Sequence, residues 1–143
     1  MKETVLLKPP FGFRHDLGEG LKIIKDIEVG ESAFKLELIF LFGKSIKNIS
    51  KMKNFAGEFH AKNLLEQGER IPSRWGEFEL YFPGTIFREP ERSAFIIPCL
   101  SCQFDDDDKG LIWVPWHLKQ VAFGINFTFE KTRDNKSCFM RLV

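Results

Sequence analysis

The sequence predicts a β-rich α+β fold: an antiparallel sheet or barrel-like sandwich of about seven to eight strands, with one main helix packed on it. Residues 77–82 and 121–130 alternate between large apolar and smaller or polar side chains, the period of a strand with one buried face. Residues 46–67 instead carry apolar side chains at helical spacing. At 143 residues the chain suits a single globular domain, which we expect to span residues 1–143.

Composition predicts an aromatic interior. The chain has 16 phenylalanines and 1 tyrosine. Phenylalanine fills a core without a hydroxyl group that needs a hydrogen-bond partner, so we expect an aromatic core, with an apolar ligand cavity as the alternative.

Charge restricts the class of partner. The net charge of +1 gives no field that would attract nucleic acid or an anionic membrane, and neither is an expected partner. The charge is uneven, because residues 44–74 hold seven basic and three acidic side chains, whereas residues 75–110 hold three basic and eight acidic ones. Complementary blocks of this kind favour a protein partner.

The sequence indicates a reduced, cytoplasmic location. Residues 1–5 lack the basic stretch and apolar run of a signal peptide, and no apolar stretch approaches the roughly 20 residues that span a bilayer. Three cysteines, an odd number, do not indicate a disulfide framework. No motif requires a cofactor, so none is expected, and the sequence gives no indication of oligomeric state.

The first part of the chain contains strand candidates and a loop. Residues 3–8 and 21–29 are two such candidates, although the second also fits helical spacing. Residues 34–42 are a stronger one, with apolar side chains on both faces in the second half, as in a covered central strand.

The intervening loop, residues 9–20, contains three glycines and two prolines. Loops on a rigid scaffold often carry binding groups. Arg14 is therefore a candidate partner-binding residue. His15 beside Asp16 is a candidate general base with its orienting carboxylate.

The main helix is predicted at residues 46–67. Ser45 precedes the apolar stripe and is expected to cap the helix, its hydroxyl accepting a hydrogen bond from a free amide. Gly57 weakens the middle of this helix by about 1 kcal/mol relative to alanine, so two shorter helices are the alternative. His60 lies beside the stripe, and we interpret it as a structural histidine rather than a ligand.

Residues 77–82 and 85–88 are predicted to form a hairpin. Pro83 and Gly84 occupy the central positions of a type II turn, in which proline sets the first φ and glycine accepts the positive second φ.

The second half of the chain is predicted to continue as strands. The candidates are residues 93–104, 111–116, 121–130 and 136–143. Pro98 interrupts the first of them and suits an edge strand or a bulge, because proline has no N–H to donate. The acidic residues 105–110 are interpreted as a solvated hairpin tip, since the spacing does not fit a calcium loop.

Cys99 and Cys102 have the only spacing that resembles a metal or redox site. Both thiolates would need to reach one zinc ion, but residues three apart on a strand point to opposite faces. We therefore favour small buried side chains over a metal site, and keep a zinc-stabilised domain as an alternative.

Residues 113–117 concentrate two indoles and an imidazole. Trp113, Trp116 and His117 could form an aromatic platform for a protein partner or a small apolar ligand, or they could be edge-strand packing with Pro115 as a bend.

Three functional hypotheses follow. The first is a binding module that recognises a protein partner or a small apolar ligand through loops and this Trp/His cluster. The second is a small enzyme that uses His15 or His117 as a base with Asp16 or a nearby carboxylate. The third is the zinc-stabilised domain. We favour the first, without catalysis.

Overall fold

The protein, described here by a computed structural model, is defined over residues 4–7, 21–27, 33–89, 93–107 and 110–143. Its strands are β1 (Thr4–Leu7), β2 (Lys22–Lys25), β3 (Phe34–Ile39), β4 (Glu79–Tyr81), β5 (Ile86–Arg88), β6 (Ala94–Asp107), β7 (Gly110–Gly124) and β8 (Ser137–Leu142). The helices are α1 (Ile46–Lys51) and α2 (Glu58–Glu66), and 3-10 turns lie at Gly68–Arg70 and Ser73–Glu77. The predicted β-rich α+β class is confirmed.

The strands form one eight-stranded sheet in the order β1-β3-β8-β4-β6-β5-β2, with β7 on the other side of β6. All pairs are antiparallel except β4 with β8, which run parallel. The expectation of a purely antiparallel sheet therefore needs correction. A parallel pair requires a long crossover connection, and the chain between β4 and β8, which includes β5 to β7, supplies it.

The predicted hairpin of residues 77–82 and 85–88 is wrong. β4 and β5 do not pair with each other; both pair with β6, at Leu100 and Ile96 respectively. Gly84 lacks the positive φ of a type II turn. It is required for close approach instead, because a Cβ there would lie 2.3 Å from the Phe55 carbonyl oxygen.

Pro98 lies in a central strand, not at an edge. It pairs with Gln120 of β7, and its carbonyl accepts a hydrogen bond from the Phe82 amide on the opposite side. The nitrogen of an antiparallel residue points to the same side as its carbonyl. Pro98 nitrogen therefore faces the gap between β4 and β5, where no ladder bond is needed.

The predicted helix of residues 46–67 is divided in two, the alternative that Gly57 indicated. Ser45 caps α1 as predicted, its Oγ accepting from the Asn48 amide at 3.2 Å. α1 ends at Lys51, because the following Met52 is extended, and Gly57 is the N-cap of α2. The Gly57 amide donates to His60 Nδ1 at 2.9 Å, so His60 closes the first turn of α2.

Two buried clusters pack on opposite faces of the sheet. Leu80, Leu100 and Cys138 belong to the first, with α2 and Trp75. Their chain neighbours Tyr81, Cys99 and Phe139 belong to the second, which α1 covers. Successive strand residues point to opposite faces, and this alternation places both clusters against the same strands.

Most of the described phenylalanines are interior, as composition predicted, but Phe40 is 41% exposed. The strand predicted at residues 121–130 stops at Gly124 and turns. Beyond that turn, Phe127 and Phe129 hydrogen-bond through their backbones to residues 43–46, which places both rings against the second cluster.

Candidate binding surface

The β6–β7 hairpin extends beyond the rest of the sheet. The last residue of β6 that pairs with β4 is Leu100. Beyond Ser101, the ladder with β7 continues for five pairs, from Gln103 opposite Val114 to Asp107 opposite Gly110. We call residues 103–107 and 110–114 the arm. In the part of the chain that the structure describes, the two strands of the arm pair only with each other.

The two strands of the arm differ in chemistry. The β6 strand carries three aspartates, Asp105, Asp106 and Asp107. The β7 strand carries four consecutive apolar residues, 111–114. Because strand residues alternate between faces, a run of four places two apolar positions on each face of the ribbon. A two-stranded ribbon is marginally stable alone, and this one is held by its continuity with the β6–β7 ladder of the sheet.

A bulge in β7 separates the arm from the base of the hairpin, which we define as residues 94–102 and 116–124. Ser101 pairs with His117, but Gln103 pairs with Val114, so Pro115 and Trp116 oppose Cys102 alone. The extra residue bends the ladder where proline, which cannot donate, interrupts an edge strand. Pro115 thus acts as the bend that the sequence suggested.

The predicted aromatic cluster is divided by this bulge. Trp113 stands in the arm, opposite Phe104. Trp116 is half-buried and packs against the first core cluster. His117 is half-buried in the base, opposite Ser101. The three residues lie along one strand, with Trp116 connecting the arm to the core.

His117 belongs to a polar row that crosses the sheet. Glu79 pairs with Ser137 of β8, and extending the β4–β6 register by one residue places Glu79 beside Ser101. Ser101 in turn pairs with His117. Ser101 is buried, whereas Glu79 and His117 are partly exposed at the margin of the second cluster.

Glu79 is the centre of a hydrogen-bond network in this row. Its Oε2 accepts from the Tyr81 hydroxyl at 2.7 Å, and its Oε1 lies 3.2 Å from Lys119 Nζ. Burial, the neighbouring Cys99 and the bond to Glu79 raise the pKa of Tyr81 well above its ordinary value of 10.0. Tyr81 therefore stays protonated and acts as a donor, which makes the network a positioning device for Glu79.

The row does not form a compact acid–base pair. His117 and Glu79 stand on strands separated by β6, about 10 Å apart at two strand spacings. A carboxylate that orients a histidine must lie within hydrogen-bond distance of its ring nitrogen. The register places Ser101 next to His117, and Glu79 lies too far away to orient the His117 ring.

The cysteines occupy separate environments. Cys99 is in the second cluster, whereas Cys102 Sγ is 3.8 Å from the Gly76 carbonyl oxygen, which accepts from it. Burial raises the pKa of Cys99 to about 12 and raises that of Cys102. Metal binding requires thiolates, which these environments disfavour. Among the residues that the structure describes, no group of three His, Cys, Asp or Glu side chains is positioned to hold a metal ion.

Arg14, His15 and Asp16, the loop candidates for binding and catalysis, lie outside the described residues. The sequence indicated the acidic tip and the aromatic cluster, but not the arm that joins them. One signal could have revealed it: residues 111–114 are uniformly apolar, without the alternation expected of an edge strand with one solvated face.

No protein-family model, curated protein or solved structure matches this chain. Within the described residues, no helix has both the length and the apolar character needed to cross a bilayer.

Proposed function

We propose that this protein is a binding module that recognises a protein partner through the arm and the aromatic residues beside it. The observation that carries this proposal is the arm itself, a ribbon whose β7 strand is apolar at four consecutive positions and, among the described residues, pairs on one side only. Such an edge can accept an extended segment by strand addition.

A comparison with another edge supports the choice of β7. At the far end of the sheet, β2 also pairs on one side within the described chain. It has only four residues, begins and ends with a lysine (Lys22 and Lys25), and is bulged at Ile24. Short length, lysines and bulges are the features that keep edges from pairing. The segment 111–114 has no charged residue and no bulge.

The aromatic residues supply anchoring groups. Tryptophan is enriched among the interface residues that contribute most to binding free energy. Trp113 lies within the arm, whereas Trp116 links the arm to the core. A partner that contacts Trp113 would therefore be held against a ribbon anchored in the folded domain.

The test compares the affinity of the wild-type protein and of matched variants for a purified partner. The immobilised protein would capture a partner from the cells that natively make it, and the purified partner would then be titrated by calorimetry against wild type, Trp113→Ala and Phe40→Ala. Phe40 is a control because it is an exposed aromatic residue outside the hairpin. We expect Trp113→Ala to raise Kd by roughly 30-fold, the effect of a hot-spot residue, while Phe40→Ala leaves Kd unchanged.

Ile112→Ala provides a second measurement within the arm. Both arm variants should keep the wild-type melting temperature to within about 2 °C, because the two strands of the arm pair only with each other among the described residues. Equal affinity of wild type and both arm variants for the purified partner would reject the proposal.

A further inference from the structure

Four lysines form an exposed positive surface around α1. Lys44, Lys47, Lys51 and Lys53 are all exposed, and residues 43–54 contain no acidic side chain. In the described part of the chain, no ion pair joins any of them to a carboxylate. We call these four residues the lysine patch.

The helix orders part of this patch. Ile46 and Ile49 are fully buried and fix the inner side of α1. Lys47 and Lys51 are four residues apart, so they lie on one outer face, about 6 Å apart along the helix axis. The patch therefore presents two lysine side chains whose backbone positions have a defined spacing, with Lys44 and Lys53 beyond each end of the helix.

The acidic strand of the arm has a matching spacing. Positions 105 and 107 are alternate residues of β6, and alternate strand residues share a face about 7 Å apart. The arm thus offers two carboxyl-bearing positions at nearly the separation of Lys47 and Lys51. The sequence contains both halves of a complementary pair, but among the residues that the structure describes none of the four lysines pairs with a carboxylate.

We propose that the partner of the arm is a second copy of this chain, and that the aspartate strand of each arm docks on the lysine patch of the other copy. This inference rests on the proposed binding role of the arm. A two-fold arrangement satisfies both contacts at once, since in an isologous dimer residue i meets residue j and j meets i. The net charge of +1 leaves little overall repulsion between two copies.

The apolar strand of the arm completes the interface. Residues 111–114 of β7 lie next to the aspartate strand of β6. When the aspartates dock on the other copy, these apolar residues are brought to the same interface and contribute to it. Charge complementarity then sets the register and the rate of association, while the apolar residues supply contact area.

The test uses charge reversal and mixing, with the self-association constant measured by analytical ultracentrifugation. We expect the wild-type protein to dimerise, and to do so more weakly as salt is raised, because exposed ion pairs are screened. Lys47→Glu with Lys51→Glu should raise the dimer Kd by at least about tenfold, and so should Asp105→Lys with Asp107→Lys.

An equimolar mixture of the two reversed proteins should dimerise with near wild-type affinity, because each arm then meets a patch of opposite charge. Controls with the same change in net charge lie elsewhere: Arg70→Glu with Lys136→Glu, and Glu66→Lys with Glu77→Lys, all at exposed positions. These controls should leave the dimer Kd unchanged.

Three outcomes would overturn the inference: a monomeric wild type at all concentrations, an equal effect of patch and control variants, or failure of the mixture to associate. Loss of binding to a DNA duplex in the lysine variants, with self-association intact, would assign the patch to nucleic acid instead. The proposed function fails separately, since it requires only that arm variants lose a purified partner. A monomeric protein whose Trp113→Ala variant loses such a partner would retain the first proposal and lose this one.

Discussion

The base and the arm of the β6–β7 hairpin share one hydrogen-bonded ladder but differ in what covers it. In the base, Leu100 is fully buried and β6 is flanked by β4 and β5 as well as β7. In the arm, the two strands pair only with each other among the described residues. The comparison shows that backbone pairing alone does not define the role of a strand, because the groups that cover its faces decide what a substitution changes.

Sequence reflects this difference. In the base, core packing selects the side chains: Leu100 and Leu118 pair on the face of the first cluster, and Phe95 and Phe123 pair on the face of the second. In the arm, the chemistry is divided by strand, acidic on β6 and apolar on β7. The proposed binding role predicts this division, because strand addition uses the edge of a single strand.

The largest expected effect is a loss of stability when a leucine of the base is truncated, compared with the same change in the arm. Leu100→Ala should lower the free energy of unfolding by about 4 kcal/mol, because it removes a fully buried side chain from the first cluster. Leu111→Ala, the same change in the arm, should cost less than about 1 kcal/mol, because among the described residues the arm strands pair only with each other. Urea denaturation of both variants measures the difference, and equal losses would show that the arm is part of the core.

The second expected effect is a pH dependence of the free energy of unfolding that arises at His60 of α2, outside the arm. Burial lowers the pKa of His60 to about 4 from an ordinary value of 6.5, although Asp26 acts in the opposite direction. Between these values the unfolded chain binds a proton that folded His60 does not. The free energy of unfolding should therefore fall as pH drops from 6.5 to 4, by about 3 kcal/mol in all.

His60→Asn is the matched variant for this pH dependence. Its side-chain oxygen can still accept from the Gly57 amide, as His60 Nδ1 does, but asparagine does not titrate. Urea titrations between pH 7 and pH 4 should show a smaller slope for this variant than for wild type. The same slope in both proteins would contradict the assignment to His60.

The smallest expected effect is at the turn between β4 and β5. Gly84→Ala should destabilise by about 2 kcal/mol, because the new methyl group would meet backbone atoms of Phe55 and Ala56. Gly124→Ala, at the end of the base, should be nearly neutral, since nothing lies within 4 Å of a Cβ there. Thermal unfolding of the two variants tests the assignment, which a neutral Gly84→Ala would refute.

Local signals in the sequence predicted local structure well. Ser45 caps α1, and the strand periods locate most of the strands, because both depend on neighbouring residues. Long-range pairing was not predictable in this way. Pro83 and Gly84 have the composition of a tight turn, yet β4 and β5 pair with β6 instead of each other. The reason is the 55–57 segment, which packs against Gly84 and is remote in sequence.

The candidate surface was predicted in part. The cluster of Trp113, Trp116 and His117 lies along one strand, but its division by a bulge depends on the register with β6, which no local pattern encodes. The lysines of the patch were recognised only as part of the basic block at residues 44–74. Whether these lysines form ion pairs depends on where the carboxylates lie in three dimensions, which the sequence does not give. Within the described chain, none of the four lysines forms one.

The central position of β8 has a consequence for how the chain acquires its fold. β8 joins β3 to β4, and its contact between Arg141 and Glu37 bridges residues 104 apart in sequence. Closing so long a loop adds little to the equilibrium cost of folding, but it slows the search for the native pairing. Until β8 is in place, β3 and β4 expose open edges, so refolding at high protein concentration should compete with aggregation.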